Sequence, residues 1–245
     1  MVVDLDRCQG CRACVEACKI ENNTPSAVFW MHVFRLEDGE YPNTRLSFLP
    51  RPCQHCNNAP CVKVCPVGAR YGREDGLVLT DYDRCIGCRY CEVACPYGVN
   101  YFNWRSPDDA FADYQMSFDD PDVVAVTDGA VPPYRNPVHD RKHGDERRRT
   151  SGSSHDKGVM EKCTFCVHRV EQGLLPACVD TCPVGALRFG DTDDDETPIS
   201  QFLRTRETFQ LLEELGTDPS VVYVGGTAPT SHAREIERPM TEVTR

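Results

Sequence analysis

The sequence has little of several features that would direct it to other functions. No segment of its 245 residues approaches the roughly 20 apolar residues of a membrane-spanning helix, and its longest apolar runs are as short as residues 221–224. Lysine is scarce, with 5 lysines among 27 basic residues against 38 acidic residues, and the net charge is -11. Because the phosphate backbone of a nucleic acid rewards a basic surface, this composition argues against nucleic-acid binding. We expect no transmembrane segment and no nucleic-acid partner.

Two further features are absent. Residues 1–6 contain neither a basic region nor a twin-arginine pair, so we expect no signal peptide on this chain. No paired carboxylates or nucleophile-base pair stand out from ordinary solvated surface. The sequence therefore favours a non-catalytic protein.

Cysteine, by contrast, is abundant, and the sixteen cysteines fall into four groups of four with none left over. These groups, called tetrads one to four, are Cys8, Cys11, Cys14, Cys18; Cys53, Cys56, Cys61, Cys65; Cys85, Cys88, Cys91, Cys95; and Cys163, Cys166, Cys178, Cys182. Tetrads one and three read C-x2-C-x2-C-x3-C, and the last cysteine of tetrads two, three and four precedes a proline. This spacing is typical of cubane iron-sulfur clusters, in which the fourth cysteine ligates a second cluster.

Two other uses of cysteine fit the spacing less well. A structural zinc site joins two C-x2-C pairs across a loop and does not need a third cysteine so close by. Disulfides need an oxidising compartment, and bridges between cysteines separated by two residues would be strained. The pattern therefore indicates electron transfer through [4Fe-4S] clusters.

The sequence contains an internal duplication. Residues 4–18 and 81–95 are identical at ten of fifteen positions, and residues 61–69 and 178–186 are identical at seven of nine. The tetrads thus follow the order one, two, one-like, two-like, as expected for a duplicated unit.

Loop length suggests which tetrads exchange their fourth cysteine. Tetrads two and three are separated by only 19 residues, which is the layout of a compact two-cluster ferredoxin, and tetrads one and four then pair by elimination. The predicted ligand sets are cluster 1 (Cys8, Cys11, Cys14, Cys182), cluster 2 (Cys163, Cys166, Cys178, Cys18), cluster 3 (Cys53, Cys56, Cys61, Cys95) and cluster 4 (Cys85, Cys88, Cys91, Cys65).

The predicted fold class is α+β, with two interlocked ferredoxin-like 2[4Fe-4S] modules related by a pseudo-twofold duplication, a small β-hairpin insertion and long loops. The first module comprises residues 1–27 and 159–190, the second residues 50–105, the hairpin insertion residues 28–49, the long loop residues 106–158, and the C-terminal segment residues 191–245. The long loop changes from acidic to basic along its length, and it fits either a mobile connection or a docking surface for another subunit.

Local patterns predict the remaining elements. Residues 28–36 and 45–49 are expected to form the hairpin, and residues 77–79 and 221–224 short strands. Residues 199–215 have helical spacing and end at a glycine, so we expect one helix followed by a short strand and a tail.

Several side chains beside the tetrads have two interpretations. Trp30 is expected in the core, whereas His55 and His168 are expected to hydrogen-bond cluster sulfurs or to contact solvent. Basic residues flank the tetrads and fit either a solvated face or compensation of cluster charge; they are Arg7, Arg12, Arg84, Arg89, Lys162 and Arg169.

The tetrads and their surroundings resemble a known family. Residues 8–14, 17–23, 53–56, 85–91, 94–98 and 162–166 are similar to the iron-sulfur subunit of the dimethyl sulfoxide reductase family of molybdopterin oxidoreductases, especially the polysulfide and tetrathionate reductase type and the iron-sulfur part of alternative complex III. The resemblance extends from Val2 to about Val224. It implies four cubane clusters in a line, with cluster 1 facing a molybdopterin catalytic subunit and cluster 4 facing a quinone-reactive integral membrane subunit. Relatives that hold a three-iron cluster have tryptophan in tetrad three, where this chain has Cys88, so four [4Fe-4S] clusters are expected.

The resemblance implies a non-catalytic electron-transfer subunit in a peripheral, membrane-associated complex. The equivalent relay of a hydrogenase or formate dehydrogenase is an alternative, although some of those relatives add a C-terminal membrane helix that this sequence lacks. A free-standing polyferredoxin is a third possibility, against which the long loop and tail argue.

Overall fold

The computed structural model describes residues 1–22, 24–25, 27–104, 157–226 and 234–235. The predicted loop of residues 106–158 lies outside this part of the chain apart from its last two residues. The helices are α1 Ala13–Asn22, α2 Pro60–Lys63, α3 Tyr90–Ala94, α4 Val167–Val170, α5 Ala177–Asp180 and α6 Pro198–Leu203. The strands are β1 Val2–Asp4, β2 His32–Asp38, β3 Arg45–Arg51, β4 Arg70–Gly72, β5 Val78–Thr80, β6 Tyr101–Phe102, β7 Met160–Glu161, β8 Leu187–Arg188, β9 Thr208–Phe209, β10 Val222–Val224 and β11 Arg234–Glu235.

The two ends of the sequence meet in a four-stranded sheet of order β8-β1-β10-β9. Strand β1 pairs in parallel with β10, with Val2 opposite Val222, and antiparallel with β8. The amino group of Met1 donates a hydrogen bond to the carbonyl oxygen of Ser220 at 3.1 Å. Residues near position 220 therefore fasten the start of tetrad one to the residues that follow tetrad four.

The predicted hairpin is present but begins later than expected. Strands β2 and β3 pair antiparallel from His32 opposite Arg51 to Asp38 opposite Arg45. Residues 28–31 precede the strand, and Trp30 is buried with 2% of its surface exposed, so its predicted place in the core is confirmed. The short strand predicted at residues 77–79 corresponds to β5, which pairs with β4.

The C-terminal helix is shorter than predicted. Helix α6 begins after Thr197, whose side-chain oxygen accepts a hydrogen bond from the backbone N–H of Ser200, and it ends at Leu203. Strand β9 and a 3₁₀ turn at Glu213–Leu215 follow, and Leu212 adopts a left-handed conformation with φ of 52°. The prediction of one helix over residues 199–215 was therefore wrong, because part of this apolar segment forms β9, which pairs with β10 in the sheet.

The hydrophobic core passes through all four tetrads. Buried cysteines pack in one cluster with Val15, Leu79, Met160, Phe165 and Tyr223. The helices that carry cysteines are short, so the packing of this core positions the thiols. Within the described ranges, no helix is both long and apolar enough to cross a membrane.

Candidate metal centres

Tetrads one and three share one backbone conformation. Gly10 and Arg12 have φ of 66° and 64°, and Gly87 and Arg89 have φ of 66° and 62°. Such left-handed residues curl the chain, and glycine adopts them without strain. The loop thus turns around a centre before α1 or α3 begins, and the duplication seen in the sequence is also a duplication of local structure.

The segment that follows the fourth cysteine is repeated in tetrads two, three and four. In each, a glycine three residues after that cysteine has a φ of 60° to 61°, and its backbone N–H donates to the cysteine carbonyl oxygen at 3.2 to 3.4 Å; the glycines are Gly68, Gly98 and Gly185. Tetrad one differs, because Lys19 follows Cys18 and α1 continues to Asn22. Lys19 donates to the carbonyl oxygens of Pro25 and Val28, both at 3.0 Å, and so fixes the chain that leaves the helix.

Tetrads two and three surround two cavities, and each cavity takes its fourth cysteine from the other tetrad. The first, which has about 320 Å³ of space free of protein atoms including its opening to solvent, is lined by Cys85, Cys88, Cys91 and Cys65. The second, with about 310 Å³ measured in the same way, is lined by Cys53, Cys56, Cys61 and Cys95. These are the groupings predicted for clusters 4 and 3.

Tetrads one and four are brought together in the same crossed manner. Burial raises the pKa of Cys14 to about 12, and the neighbouring Cys8, Cys182 and Cys11 contribute to this increase. Cys182 therefore lies beside the first three cysteines of tetrad one. Helix α1 packs against α5, which places the two tetrads side by side.

Cys18 lies beside cysteines of tetrad four. Its pKa is raised well above the ordinary value by burial and then by the neighbouring Cys163 and Cys166. The side-chain amide of Asn22 stands 3.6 Å from the sulfurs of both Cys18 and Cys166. Burial raises the pKa of Cys178, and the neighbouring Cys166, Cys18 and Cys163 act in the same direction. The four thiols predicted for cluster 2 are thus neighbours of one another.

Backbone N–H groups point at cysteine sulfurs in each of the four cysteine sets. Distances from nitrogen to sulfur are 3.3 to 3.5 Å for the donors His55, Arg70, Met160, Phe165 and Ala186, whose acceptors are Cys53, Cys65, Cys85, Cys163 and Cys182. Hydrogen bonds of this kind stabilise the negative charge of a metal-bound thiolate. The donor set, all sulfur with amide support, fits iron-sulfur clusters.

Burial keeps several of the metal-free thiols protonated. It raises the pKa of Cys56 and Cys163 to about 12 and that of Cys61 to about 11. Because a metal binds the thiolate, loading must displace these protons. Within the described ranges, no three His, Cys, Asp or Glu side chains are close enough to hold a single metal ion.

Exposure divides the four cysteine sets into two outer and two inner sets. Cys11 and Cys88 are exposed, and each belongs to an outer set, predicted for cluster 1 or cluster 4. Every cysteine of the set predicted for cluster 2 is buried, and only Cys95 of the set for cluster 3 is partly exposed. Burial is the main cause of the raised pKa of Cys163, and the neighbouring Cys53 is the second cause. The two inner sets therefore adjoin.

The two histidines contact protein groups. His55 is completely buried; its Nδ1 accepts from the backbone N–H of Val78, and its Nε2 then donates to the carbonyl oxygen of Cys163, both at 3.0 Å. Its ring stacks on Phe165 with centroids 3.8 Å apart. Burial holds the pKa of His55 well below its ordinary value. The His55 side chain therefore joins the two inner sets through backbone contacts, where the sequence led us to expect a sulfur or solvent contact.

His168 is also buried, so the solvent contact considered for it is absent. Its Nε2 lies 2.7 Å from the carboxylate of Glu21, which also pairs with Arg169 at 3.1 Å. These contacts tie the end of α1 to α4, beside the cysteines predicted for cluster 2.

Two buried cations lie among the cysteine sets. Lys162 is 1% exposed and donates to the carbonyl oxygen of Cys163 at 2.9 Å. Arg70 is 2% exposed, and its Nη2 lies 3.5 Å from the sulfur of Cys91. Lys162 could be singled out from the sequence because it directly precedes a cysteine. Arg70 had no such signal, since charged residues are seldom fully buried.

The two outer ends differ in their surface chemistry. At the tetrad-three end, Ile86, Tyr90 and Val93 are 64%, 55% and 82% exposed, and we call these residues the apolar rim. The matched positions of tetrad one are Gln9, Ala13 and Glu16, which we call the polar rim. An exposed group of large apolar side chains is typical of a surface that contacts a partner.

Comparison with known proteins agrees with the cysteine geometry. A family profile described as a 4Fe-4S dicluster domain matches residues 44–118 and 149–192, and a second profile with the same description matches residues 7–69. Ferredoxin-like dicluster domains are therefore present in a chain of mixed α and β structure.

The chain is also similar over most of its length to curated proteins. It is 41% identical over 239 residues to a Halobacterium salinarum protein named as a dimethyl sulfoxide reductase iron-sulfur subunit, covering 92% of this chain and 78% of that protein. It is 42% identical over 235 residues to the arsenate respiratory reductase iron-sulfur subunit of a Shewanella species, covering 91% and 94%. It is 40% identical over 224 residues to a selenate reductase subunit of Mesobacillus selenatarsenatis, covering 91% and 70%.

Proposed function

The chain belongs to the family of iron-sulfur subunits of reductase complexes, the electron-transfer subunits rather than the catalytic ones, and from this premise we propose that it relays electrons through four [4Fe-4S] clusters between a molybdopterin catalytic subunit and a quinone-reactive membrane subunit. The observation that carries the proposal is the crossed grouping of the sixteen cysteines around four centres.

The proposed ligands are those groupings. Cluster 1 takes Cys8, Cys11, Cys14 and Cys182; cluster 2 takes Cys163, Cys166, Cys178 and Cys18; cluster 3 takes Cys53, Cys56, Cys61 and Cys95; and cluster 4 takes Cys85, Cys88, Cys91 and Cys65. Two interlocked ferredoxin-like modules related by a pseudo-twofold axis follow from this assignment. The repeated φ values at Gly10 and Gly87 support the duplication.

The order of the relay is supported by burial. Clusters within a module exchange their fourth cysteine, so clusters 1 and 2 adjoin, as do clusters 3 and 4. Cys53 and Cys163 are neighbours, which joins clusters 2 and 3. The proposed sequence is therefore 1, 2, 3, 4, with exposed thiols at both ends and buried thiols in the middle.

The residues of the chain support this relay in three ways. Bound clusters supply one-electron carriers, which the side chains themselves do not. Amide N–H groups such as those of His55 and Phe165 stabilise thiolate charge, and the packed core keeps water from the inner sulfurs. His55 and Phe165 stack between the inner sets and hold them at a fixed separation.

The rims support different partners at the two ends. The apolar rim beside Cys88 fits an apolar surface such as that of an integral membrane subunit, and the polar rim beside Cys11 fits a water-soluble catalytic subunit. A peripheral place on a membrane-bound complex follows. Residues 106–158 remain a candidate docking segment on sequence grounds alone.

Metal analysis tests the cofactor content. Anaerobically purified protein is expected to hold about 16 iron and about 16 sulfide per chain, four of each per site, with little zinc. Stoichiometric zinc without sulfide would overturn the proposal.

Substitution of one crossing ligand tests the topology. Cys18→Ala is expected to convert cluster 2 into a three-iron cluster while the EPR signal of cluster 1 is kept. The new signal should then respond to substitution of Cys178 and not of Cys11. The opposite dependence would show that tetrad one ligates a single cluster by itself.

A further inference from the structure

We infer that Arg70 is a buried counter-charge shared by clusters 3 and 4, and that it makes this pair easier to reduce. The inference rests on the ligand sets proposed above. It assigns a role to a residue that no cysteine pattern singles out.

Arg70 stands against both ligand sets of its module. Its backbone N–H donates to the sulfur of Cys65 at 3.4 Å, and its guanidinium Nη2 lies 3.5 Å from the sulfur of Cys91. The side chain lines the cavity around the cluster 4 cysteines. Arg70 begins β4, which packs against α2, the helix that carries Cys61 of the cluster 3 set.

The guanidinium is otherwise poorly satisfied by the protein. Among the described residues, Nε and Nη1 of Arg70 have no hydrogen-bond partner, and no carboxylate forms a salt bridge with the side chain. A buried cation without a partner is costly, and arginine does not shed its proton to relieve the cost. Thiolate-ligated clusters on both sides would supply the missing negative charge.

The duplication provides an internal comparison. Residues 61–69 match residues 178–186, and the next residue begins a strand in both copies: Arg70 begins β4 and Leu187 begins β8. Both side chains are buried, at 2% and 4% exposure. The first module thus has an uncharged leucine at the place where the second has a cation.

Reduction adds one electron to a cluster, and a fixed positive charge at contact distance in a weakly polar core stabilises the added charge. Arg70 therefore favours the reduced forms of clusters 3 and 4. With leucine at the matched place, clusters 1 and 2 lack this contribution.

The test is an EPR-monitored redox titration of the cluster-loaded chain within its complex. Arg70→Leu copies the residue of the other module and is expected to lower the midpoint potentials of two signals. The reduction equilibrium constant of each should fall at least tenfold, which corresponds to about 59 mV for a one-electron couple. Arg70→Lys should keep most of the potential. Signals that disappear or change in Cys88→Ser identify cluster 4.

Arg84→Leu is the matched control, because it removes the same charge from the residue before Cys85. Arg84 is 58% exposed and pairs with Asp81 at 3.6 Å, so water screens it and the expected shift is less than half of that for Arg70→Leu. Unchanged potentials in Arg70→Leu, or an equal shift in Arg84→Leu, would overturn the inference.

Iron and sulfide content separates charge from packing. If Arg70→Leu and Arg70→Gln lose clusters 3 and 4 while Arg70→Lys retains them, the positive charge is needed and the inference holds. Loss in Arg70→Lys as well would assign Arg70 a purely steric role and overturn it. Failure of the proposed function is distinguishable, because the unmodified chain would then lack four clusters at the outset.

Discussion

The tetrad-one end and the tetrad-three end are copies of one backbone with different surfaces. Gly10 and Gly87 share a φ of 66°, and ten of fifteen residues around them are identical. The differences include three matched pairs at the surface, Gln9 with Ile86, Ala13 with Tyr90, and Glu16 with Val93. The duplication kept the conformation of the cysteine loop and changed three rim positions at the surface.

This comparison separates what holds a cluster from what selects a neighbour. In the proposed assignment, the cysteines and left-handed residues are shared because they form the loop that would hold each cluster. The rim positions do not contribute to the geometry of the proposed ligands, so they are free to differ. Matched substitutions at the two ends therefore report on partner choice with the loop held constant.

The largest effect is expected from removal of an exposed ligand at one end. Cys88→Ser should reduce iron from about 16 to about 15 and convert cluster 4 alone into a three-iron cluster, while Cys11→Ser should do the same for cluster 1. Electron transfer from quinol should fall roughly 100-fold in Cys88→Ser. Iron analysis, EPR and stopped-flow reduction measure these changes. A changed EPR signal of cluster 1 in the Cys88→Ser protein would contradict the expectation that each substitution affects only the cluster at its own end.

An exchange of rim residues should have a smaller effect. Val93→Glu places a charge in the apolar rim and is expected to weaken binding to the membrane subunit about 30-fold, as for an interface residue worth ~2 kcal/mol. The matched Glu16→Val should leave that affinity unchanged, and both variants should keep their iron. Surface-binding measurements with the detergent-solubilised membrane subunit give the affinity of each variant. Equal weakening by both substitutions would remove the distinction between the rims.

The smallest effect is expected from alanine at the matched glycines. Both Gly10→Ala and Gly87→Ala force a side chain into a positive φ, which costs about 1 kcal/mol. The added methyl group at position 87 would also collide with the backbone carbonyl of Gly158, whereas at position 10 it meets the Phe48 ring, which can turn aside. We expect Gly87→Ala to lower the Tm by roughly 4–8 °C and Gly10→Ala by roughly half of that.

Thermal unfolding of the cluster-loaded variants checks this order. A larger loss for Gly10→Ala would mean that the contact between tetrad three and Gly158 is weaker than the structure describes.

The sequence was informative about the sites because the spacing of cysteines along the chain restricts how they can be arranged around a cluster. The crossed grouping of the cysteines was expected from the loop between tetrads two and three, and the described structure brings the same sets together. The ligand roles stay a prediction until clusters are observed. Trp30 was also placed correctly, since a large apolar residue in a cysteine-rich core has few other places to pack.

Other features could not be read from the sequence. Strand β1 has only three residues, and its partner β10 lies at the far end of the chain, so no local pattern specifies the pairing. The prediction of a helix over residues 199–215 was wrong because apolar residues such as Phe209 lie in a strand instead. The burial of Arg70 depends on neighbours from tetrads two and three, which only the tertiary structure brings together.

Site-specific photo-crosslinking at the matched rim positions tests the central claim most directly. A photoreactive amino acid is placed at Gln9 in one variant and at Ile86 in another, since both positions are exposed and neither is a proposed ligand. Each variant is irradiated in the intact complex and the captured subunit is identified with mass spectrometry. We predict capture of the membrane subunit from position 86 and of the molybdopterin subunit from position 9. Capture of the same subunit from both positions, or the reverse assignment, would contradict the relay between the two ends.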